Sequence, residues 1–515
     1  MVTAPPAEPT AAPAAKKPGV GSAIGWSYVL TAGRVGATVL VTFVLAKLLG
    51  PSEFGVVAMA TVFITVAQTI LQQGLVSAIV QRDKLTPEHL DAAFGVMVIS
   101  GVVVCGAVAA LSPVWALVNR EPQLTVVCLS LSPLVLMQAL TIVPEAVLRR
   151  DLQFRSVALR TLSASVVSGV VGVVLALMGA GVWALVAQSL VNAFVGLVVL
   201  WTVCPWRPSR RFQLGAIRDL WKFSVHSANA GLGSMLSSKA DIIFTGLFFG
   251  PIATGIYRLA ARLPDMLVDV TVRSLQQVAL PSLSRLQKDR DAFIRHLTTL
   301  QHLGALTGLP LLGVLVAAAG PLVDFLGPQW AGTEVPLALL CGYGALNAYG
   351  VLLGPALQAI GQPAKLAAIL WTRGILGVVV FAGVGTLLHG SSAARQATAI
   401  ALAAISMQIV MNAASVWVTV KRAVGGSIPR FLAPTIPSVL AGLVAAGTPL
   451  LFDALAISVG PPLLALVAYG AVAAALSGVV LWLTDRRLRL LVRKKLGARL
   501  DWIPLSHPHT GRHAA

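Results

Sequence analysis

Long apolar stretches, each followed by a short polar break, recur along the whole chain. About 20 apolar residues cross the ~30 Å hydrocarbon core of a bilayer as an α-helix. A single open segment satisfies its own backbone hydrogen bonds in lipid only as a helix, whereas a barrel would show short alternating segments. The pattern therefore predicts an all-α membrane protein with about fourteen transmembrane helices, at residues 24–46, 55–80, 92–115, 124–147, 157–179, 181–203, 223–248, 252–280, 297–319, 335–360, 366–388, 396–420, 431–452 and 461–484.

The composition supports the same class of protein. Of the 515 residues, 57% are hydrophobic and only 11% are charged, and the mean hydropathy is +0.84. A soluble protein carries roughly 25% charged residues, because its surface must face water. A protein surrounded by lipid can have so few charged residues. The Pro- and Ala-rich segment 1–22 lacks a continuous apolar core, so we predict a disordered tail and not a cleaved signal peptide.

Basic residues are distributed unevenly about the predicted spans. The two tails and the loops after even-numbered spans hold 28 of the 38 Lys and Arg residues, and the opposite loops hold only Lys47, Arg120 and Arg395. Cytoplasmic loops are the ones enriched in Lys and Arg. We therefore predict a multi-pass protein of the inner or plasma membrane with both termini in the cytoplasm. Contact with anionic membrane lipids accounts for the net charge of +19, so no nucleic-acid partner is expected.

A short motif occurs twice at an offset of 200 residues. Residues 50–55 and 250–255 both read Gly-Pro-x-x-x-Gly, after the first and the seventh span. Six spans, an even number, separate the copies, so the halves should run parallel, with substrate bound between them. The motif thus predicts two six-helix lobes plus two additional helices. A duplication retained only for packing is the alternative, but it does not explain the charges inside the spans.

Seven basic residues and several acids lie within the predicted spans. A charge at the bilayer centre costs at least ~2.5–3.5 kcal/mol on insertion scales, so these side chains must face water, one another or a ligand. The basic residues are Arg34, Arg160, Lys239, Arg258, Arg262, Arg273 and Arg373, and the acids include Glu145, Asp241, Asp265 and Asp269.

The eighth span carries five of these charges on one predicted face. Positions 258, 262, 265, 269 and 273 follow steps of 4, 3, 4 and 4, which at about 100° per residue confine them to an arc of roughly 80°. Two interpretations stay open. The face is either the polar wall of a water-filled central cavity or a self-paired stripe at a contact between helices.

The other charges are candidates for the same cavity. Arg34 has no acid nearby in sequence, and an unpaired guanidinium suits a phosphate group, although snorkelling to the interface is the alternative. Lys239 and Asp241 either line the cavity or form a pair at headgroup level. Arg373 lies near the middle of its span and is a further cavity candidate. Arg160 lies near a span end and is predicted to snorkel.

Sequence motifs of enzymes are missing from the chain. It contains no GxxxxGK[ST] phosphate loop, no HExxH and no GxSxG, and the loops between spans are short. The four cysteines have no metal-ligand spacing and suit apolar packing. We therefore expect a protein that is not an enzyme and has no cofactor or metal.

Several stretches resemble the polysaccharide transporter (Wzx-type) flippases, which belong with multidrug extruders and lipid II flippases in the multidrug/oligosaccharidyl-lipid/polysaccharide (MOP) exporter superfamily. The resemblance is greatest to the branch that exports lipopolysaccharide or exopolysaccharide, and it covers residues 26–365. The stretches are 45–55 (LAKLLGPSEFG), 81–83, 89–94, 144–154 (PEAVLRRDLQF), 179–186 and 279–287.

The resemblance implies two lobes that rock around a central cavity. The implied substrate is an oligosaccharide on undecaprenyl pyrophosphate, with a polymerase and glycosyltransferases as expected partners. Related lipid II flippases use cavity arginines in the first and eighth helices, which here would be Arg34, Arg258, Arg262 and Arg273. Alternatives are a MATE-type multidrug or cation antiporter and a membrane scaffold. The predicted domains are a tail 1–22, a lobe 23–204, a basic linker 205–222, a lobe 223–421, two further spans 422–485 and a basic tail 486–515.

Overall fold

The computed structural model describes residues 36–72, 87–150, 153–209, 214–457 and 460–490, which are helical throughout apart from short turns and contain no β-strand. The first helices are α1 Gly36–Leu48, α2 Pro51–Gln72, α3 Pro87–Val118, α4 Gln123–Leu131, α5 Pro133–Arg150, α6 Phe154–Leu177 and α7 Val182–Val203. The later helices are α8 Leu214–Val268, α9 Ser274–Ser284, α10 Arg290–Ala317, α11 Ala319–Leu326, α12 Glu334–Gly350, α13 Leu353–Ala359, α14 Pro363–Leu387, α15 Ala393–Val416, α16 Ile428–Leu432, α17 Ile436–Ala446, α18 Thr448–Ala454 and α19 Pro462–Thr484.

The structure confirms the all-helical membrane architecture. Twelve segments of the described chain are long and apolar enough to cross a bilayer, and α1 is a shorter apolar helix. Helix α8 is longer than one span because it folds back at Gly250, where φ is +76°, a conformation that glycine adopts without steric cost. The total of fourteen spans stays a prediction, since residues 24–35 of the first span lie outside the described part.

Buried apolar side chains form two large clusters that separate along the chain. One is built from residues 45–186 and the other mainly from residues 240–411. We name the corresponding parts of the chain the N-half, residues 36–209, and the C-half, residues 214–423. Ala46 and Val62 of the N-half belong to the second cluster, so the halves pack together along α1 and α2. The predicted domain boundaries themselves stay predictions.

The two copies of the Gly-Pro motif meet where α2 crosses the second arm of α8. A Cβ atom on Gly55 would overlap the carbonyl group of Pro251, and a Cβ atom on Gly255 would overlap that of Pro51. Only a residue without a side chain permits so close an approach of two backbones. The reciprocity of the two contacts is the arrangement expected of a parallel repeat about a central axis. Residues 46–55, 250–255 and 325–330 form what we name the Gly-Pro end.

Trp330 closes the Gly-Pro end from the C-half. The indole is fully buried, its Nε1–H donates to the carbonyl of Ala46 at 2.6 Å, and its ring lies edge-on to Phe54 with centroids 5.4 Å apart. Nearby, the Lys47 ammonium lies 4.2 Å from the centroid of the Phe325 ring. The loop that follows α11 is thereby fixed onto the α1–α2 turn of the N-half.

The opposite end of α8 and α9 is rich in basic residues. Residues 285–295, 425–430 and 486–490 form what we name the basic end. The segment after α15 is attached to the C-half by two polar contacts: His302 Nδ1 lies 2.7 Å from the carbonyl of Pro434, and the Tyr349 hydroxyl donates to Thr435 Oγ1 at 2.8 Å. The two ends therefore differ in chemistry: the contacts at the Gly-Pro end are mostly apolar, whereas the basic end is rich in charged residues.

Candidate functional site

A cavity of about 210 Å³ lies between the N-half and the C-half. Helices α1, α2 and α7 supply one wall, and the second arm of α8 supplies the other with Arg258 and Arg262. Both arginines are half-buried. Neither guanidinium forms an ion pair with any residue that the structure describes. The cavity therefore holds two positive charges whose hydrogen-bond donors are available to an anion.

The facing wall is lined with hydroxyl and amide groups. Thr42 donates its hydroxyl hydrogen to Thr38 O at 2.8 Å, and Ser189 donates to Leu185 O at 2.9 Å. Because these protons are used within the helices, the hydroxyl oxygens are left as acceptors toward the cavity. Gln188 adds an amide with both donors and acceptors. Acceptors on one wall and cationic donors on the other suit a ligand that carries both hydroxyl groups and a negative charge.

A π-helical segment interrupts the predicted charged face of the eighth span. The predicted arc assumed 100° per residue through Arg273, but residues Asp269–Arg273 form a π-helix, whose i→i+5 turns are wider. Asp269 is exposed and Asp265 is half-buried outside the cavity wall. Asp265 and Asp269 therefore do not line the cavity with Arg258 and Arg262, and the place of Arg273 on this face stays a prediction. Arg258 and Arg262 precede the π-helix, retain their spacing of four and share the cavity.

Asp241 lies inside the C-half and not on the wall of this cavity. The Tyr257 hydroxyl, on the other arm of α8, donates to Asp241 Oδ2 at 2.7 Å, and the Ile242 amide donates to Oδ1 at 2.8 Å. Tyr257 is only 1% exposed. The carboxylate thus links the two arms of α8. Lys239 is half-buried two residues before it, and their proposed pairing stays a prediction.

Arg373 lies in a second cavity, of about 280 Å³, within the C-half. Its guanidinium donates to the Tyr343 hydroxyl and sits 5.8 Å from the centroid of that ring. The other polar lining is mainly amide, including Asn347 and Asn412. The structure therefore places Arg373 in a different cavity from Arg258 and Arg262.

The remaining predicted residues are placed as follows. Arg34 lies outside the described residues, and the side chain of Arg273 is likewise not described. Arg160, predicted to snorkel, forms an ion pair of 2.6 Å with Glu145, and both side chains are about four-fifths buried. A charge with a partner inside the N-half has no need to reach the interface.

Sequence reasoning missed the polar wall opposite the arginines. Thr38 and Thr42 are spaced by four residues, the spacing of one helix face, and Gln188 with Ser189 lies within a largely apolar span. These polar residues in apolar spans were the sequence signal from which the polar wall could have been predicted. Tyr257 and Tyr343 gave none, because only the tertiary structure brings them to Asp241 and Arg373.

Comparison with known proteins identifies relatives over most of the chain. The family model of polysaccharide biosynthesis proteins matches residues 44–334. The succinoglycan biosynthesis transport protein ExoT of Rhizobium meliloti (strain 1021) is 26% identical over 67% of this chain and 70% of that protein. The lipopolysaccharide biosynthesis protein WzxC of Escherichia coli (strain K12) is 23% identical over 79% of this chain and 82% of that protein.

Solved structures show the same fold at low sequence identity. Lipid II flippase MurJ in an inward closed conformation matches with a TM-score of 0.66 and 12% identity, covering 92% of this chain and 99% of that one. An inward-facing MATE multidrug resistance transporter matches with a TM-score of 0.55 and 14% identity, covering 74% and 93%. The fold is thus the MOP fold that the sequence predicts. The neighbours are named as transport proteins and flippases, in agreement with the prediction that this chain is not an enzyme.

Proposed function

Because the chain belongs to the family of polysaccharide biosynthesis proteins, we propose that it is a flippase for an undecaprenyl-pyrophosphate-linked oligosaccharide. It moves this substrate from the cytoplasmic to the outer leaflet, for exopolysaccharide or lipopolysaccharide synthesis. The observation that carries the proposal is the pair Arg258 and Arg262 in the cavity between the halves, without an ion-pair partner among the described residues.

Each part of the substrate has a counterpart in the site. A guanidinium binds phosphate oxygens bidentately, so Arg258 and Arg262 hold the pyrophosphate, with Arg34 and Arg273 as further proposed contacts. The hydroxyl and amide wall binds sugar hydroxyl groups. The polyprenyl tail stays in lipid. We do not assign Arg373 to this step, because it lies in the separate cavity of the C-half.

The size of the cavity requires the halves to move. Sites for drug-sized ligands are about 300–1,000 Å³, so a cavity of about 210 Å³ is too small for a lipid-linked oligosaccharide. The described arrangement is a contracted state. With the basic end in the cytoplasm, as the charge distribution favours, the Gly-Pro end closes the cavity toward the outside. The substrate then enters when the halves separate at the basic end.

Asp241 is the residue that we propose for ion coupling, with Asp265 and Asp269 as alternatives. Its carboxylate is held by Tyr257 within the α8 hairpin and has no arginine within ion-pair distance among the described residues. Uptake of a proton or a sodium ion there would change the packing of the two arms. Such a change alters the balance between states only if the ion binds one of them more tightly.

A flipping assay in proteoliposomes tests the proposal. Labelled lipid-linked oligosaccharide is followed by its access to a membrane-impermeant reagent. Arg258→Ala and Arg262→Ala should each slow flipping at least about tenfold, because hydrogen bonds to charged groups contribute about 1.5–3 kcal/mol. Arg395→Ala, which removes an exposed arginine outside the cavity, is the matched control. Flipping at the wild-type rate in the double variant would contradict the proposal.

A MATE-type antiporter of multidrug or cationic substrates is the second candidate, since the chain shares its fold. The cavity between the halves favours the flippase, because two arginines and no carboxylate line it. A cationic drug would meet like charge there. Drug efflux from cells that express the chain, undiminished by Arg258→Ala, would favour the antiporter.

A further inference from the structure

We propose that the basic end contains a second anion site, which binds a phosphate group at the membrane surface. An open pocket of about 1110 Å³ lies where the start of α10, α16 and residues 486–490 meet. It has an excess of positive charge. The charged lining is Lys288, Asp289, Arg290, Asp291, Arg295, Arg430 and Arg487.

Part of this charge is already used within the protein. Asp289 caps α10 by accepting the Ala292 amide hydrogen at 2.9 Å. Arg290 donates to the carbonyl of Val424, and its guanidinium lies against Gly425, where φ is +71° and a Cβ atom would overlap it. Arg290 is therefore a structural residue that holds the loop after α15.

Three exposed arginines of the pocket are left for a ligand. Arg295, Arg430 and Arg487 come from three separate segments of the chain. None of them is in an ion pair with a residue in the described ranges. Guanidinium groups that line one pocket repel each other. An anion bound between them would offset this repulsion.

A buried carboxylate positions one of these arginines. Asp485 is 2% exposed, and its Oδ1 accepts the amide hydrogens of Arg487 at 2.9 Å and Leu488 at 3.0 Å. Its Oδ2 lies 3.2 Å from Nε2 of His302, which is 3% exposed. His302 follows Arg295 by seven residues, two helical turns, so both lie on one face of α10. Packed structure therefore fixes the backbone of Arg487 at the edge of the pocket.

The position of the pocket suits a phospholipid headgroup. It lies at the ends of membrane-spanning helices, where basic pockets bind anionic headgroups. Helix α17 begins six residues after Arg430 and exposes Ile436, Leu440 and Leu443, which offers apolar surface for acyl chains. None of the pocket residues lines the cavity between the halves, so the inference does not depend on the proposed flippase substrate.

Lipid retention by the purified full-length chain tests this site. Native mass spectrometry would count bound phosphatidylglycerol and phosphatidylcholine in the wild type and in the triple variant Arg295→Gln, Arg430→Gln, Arg487→Gln. A matched control, Lys421→Gln, Arg422→Gln, Arg486→Gln, removes three exposed charges outside the pocket. Thermal unfolding of each variant verifies its fold.

We expect the pocket variant to bind phosphatidylglycerol at least about tenfold more weakly, with little change for phosphatidylcholine or in the control. Excess inorganic phosphate separates two sources of the ligand. If phosphatidylglycerol stays bound in excess phosphate, the result supports a lipid headgroup as the ligand. If phosphate displaces phosphatidylglycerol, the result supports soluble phosphate as the ligand. Equal losses in the pocket variant and the control, or no preference for the anionic lipid in the wild type, would overturn the proposal.

Discussion

The Gly-Pro end and the basic end of this molecule are held by different kinds of contact. At the Gly-Pro end, two glycines let backbones touch, and Trp330 is buried against the N-half. At the basic end, guanidinium groups surround an open pocket. The first set of contacts joins the two halves, whereas the second lies within the C-half and the segment that follows it.

This difference indicates which contacts change during transport. Contacts that join the halves must break if the cavity is to open at that end, and contacts within one half need not. The Gly-Pro contacts are short-range and mostly apolar, so separating the halves there leaves no unpaired buried charge. Opening the cavity at such an end therefore has a limited free-energy cost. A ligand that binds the open state more tightly than the closed state can offset this cost.

The largest effect is expected from Gly55→Leu, which places a side chain where the Pro251 carbonyl lies. Overpacking costs about 1–3 kcal/mol or more, so the halves should separate at this end. Thr61→Cys in the cavity, introduced into a variant without native cysteines, reports whether the halves have separated. Its labelling by an impermeant maleimide added outside should accelerate about tenfold or more, and flipping should fall.

Gly106→Leu is the control for that experiment, because a Cβ atom at Gly106 meets nothing within 4 Å. Its labelling rate should equal that of the parent. If Gly55→Leu left both labelling and flipping unchanged, the crossing of α2 and α8 would not act as a gate.

A smaller effect is expected from Trp330→Phe. The Gly50 amide donates to Glu53 Oε2 at 3.0 Å, so the indole N–H takes its place at the Ala46 carbonyl in the last turn of α1. Leaving that buried carbonyl unpaired costs about 1–3 kcal/mol. Hydrogen exchange at residues 46–50 should quicken. Trp417→Phe, at a half-exposed tryptophan, is the control, and equal exchange in both variants would argue against this role.

The smallest effect is expected from Lys47→Gln. The ammonium of this exposed residue over the Phe325 ring contributes about 0.5–1 kcal/mol. The melting temperature should fall slightly, and less than for Trp330→Phe. Lys421→Gln, at an exposed lysine outside the Gly-Pro end, should leave the melting temperature unchanged. A fall larger than that of Trp330→Phe would reverse the assigned order of these contacts.

Part of the site followed from the sequence. The charge on α8 was visible because an arginine in an apolar span has few tolerable environments, and Arg258 and Arg262 do share a cavity. The sequence pattern also placed Asp269 on this face, but Asp269 does not line the cavity, because a π-helix that the pattern does not reveal begins there. The place of Arg273 stays a prediction. Arg160 was predicted to snorkel to the membrane interface, because the sequence does not show its pairing with Glu145, which lies on another helix.

The sequence by itself determined that the chain lies in a membrane, that it is helical, that a motif is repeated and which family it resembles. Apolar length, helical spacing and short motifs can all be read along the chain without knowledge of which helices pack together. The tertiary structure alone decided that Gly55 meets Pro251, that Asp241 pairs with Tyr257, and that Arg373 faces a different cavity from Arg258. Such contacts join residues far apart in the chain. They depend on which helix faces pack together, and a hydropathy pattern that is apolar on all sides does not specify those faces.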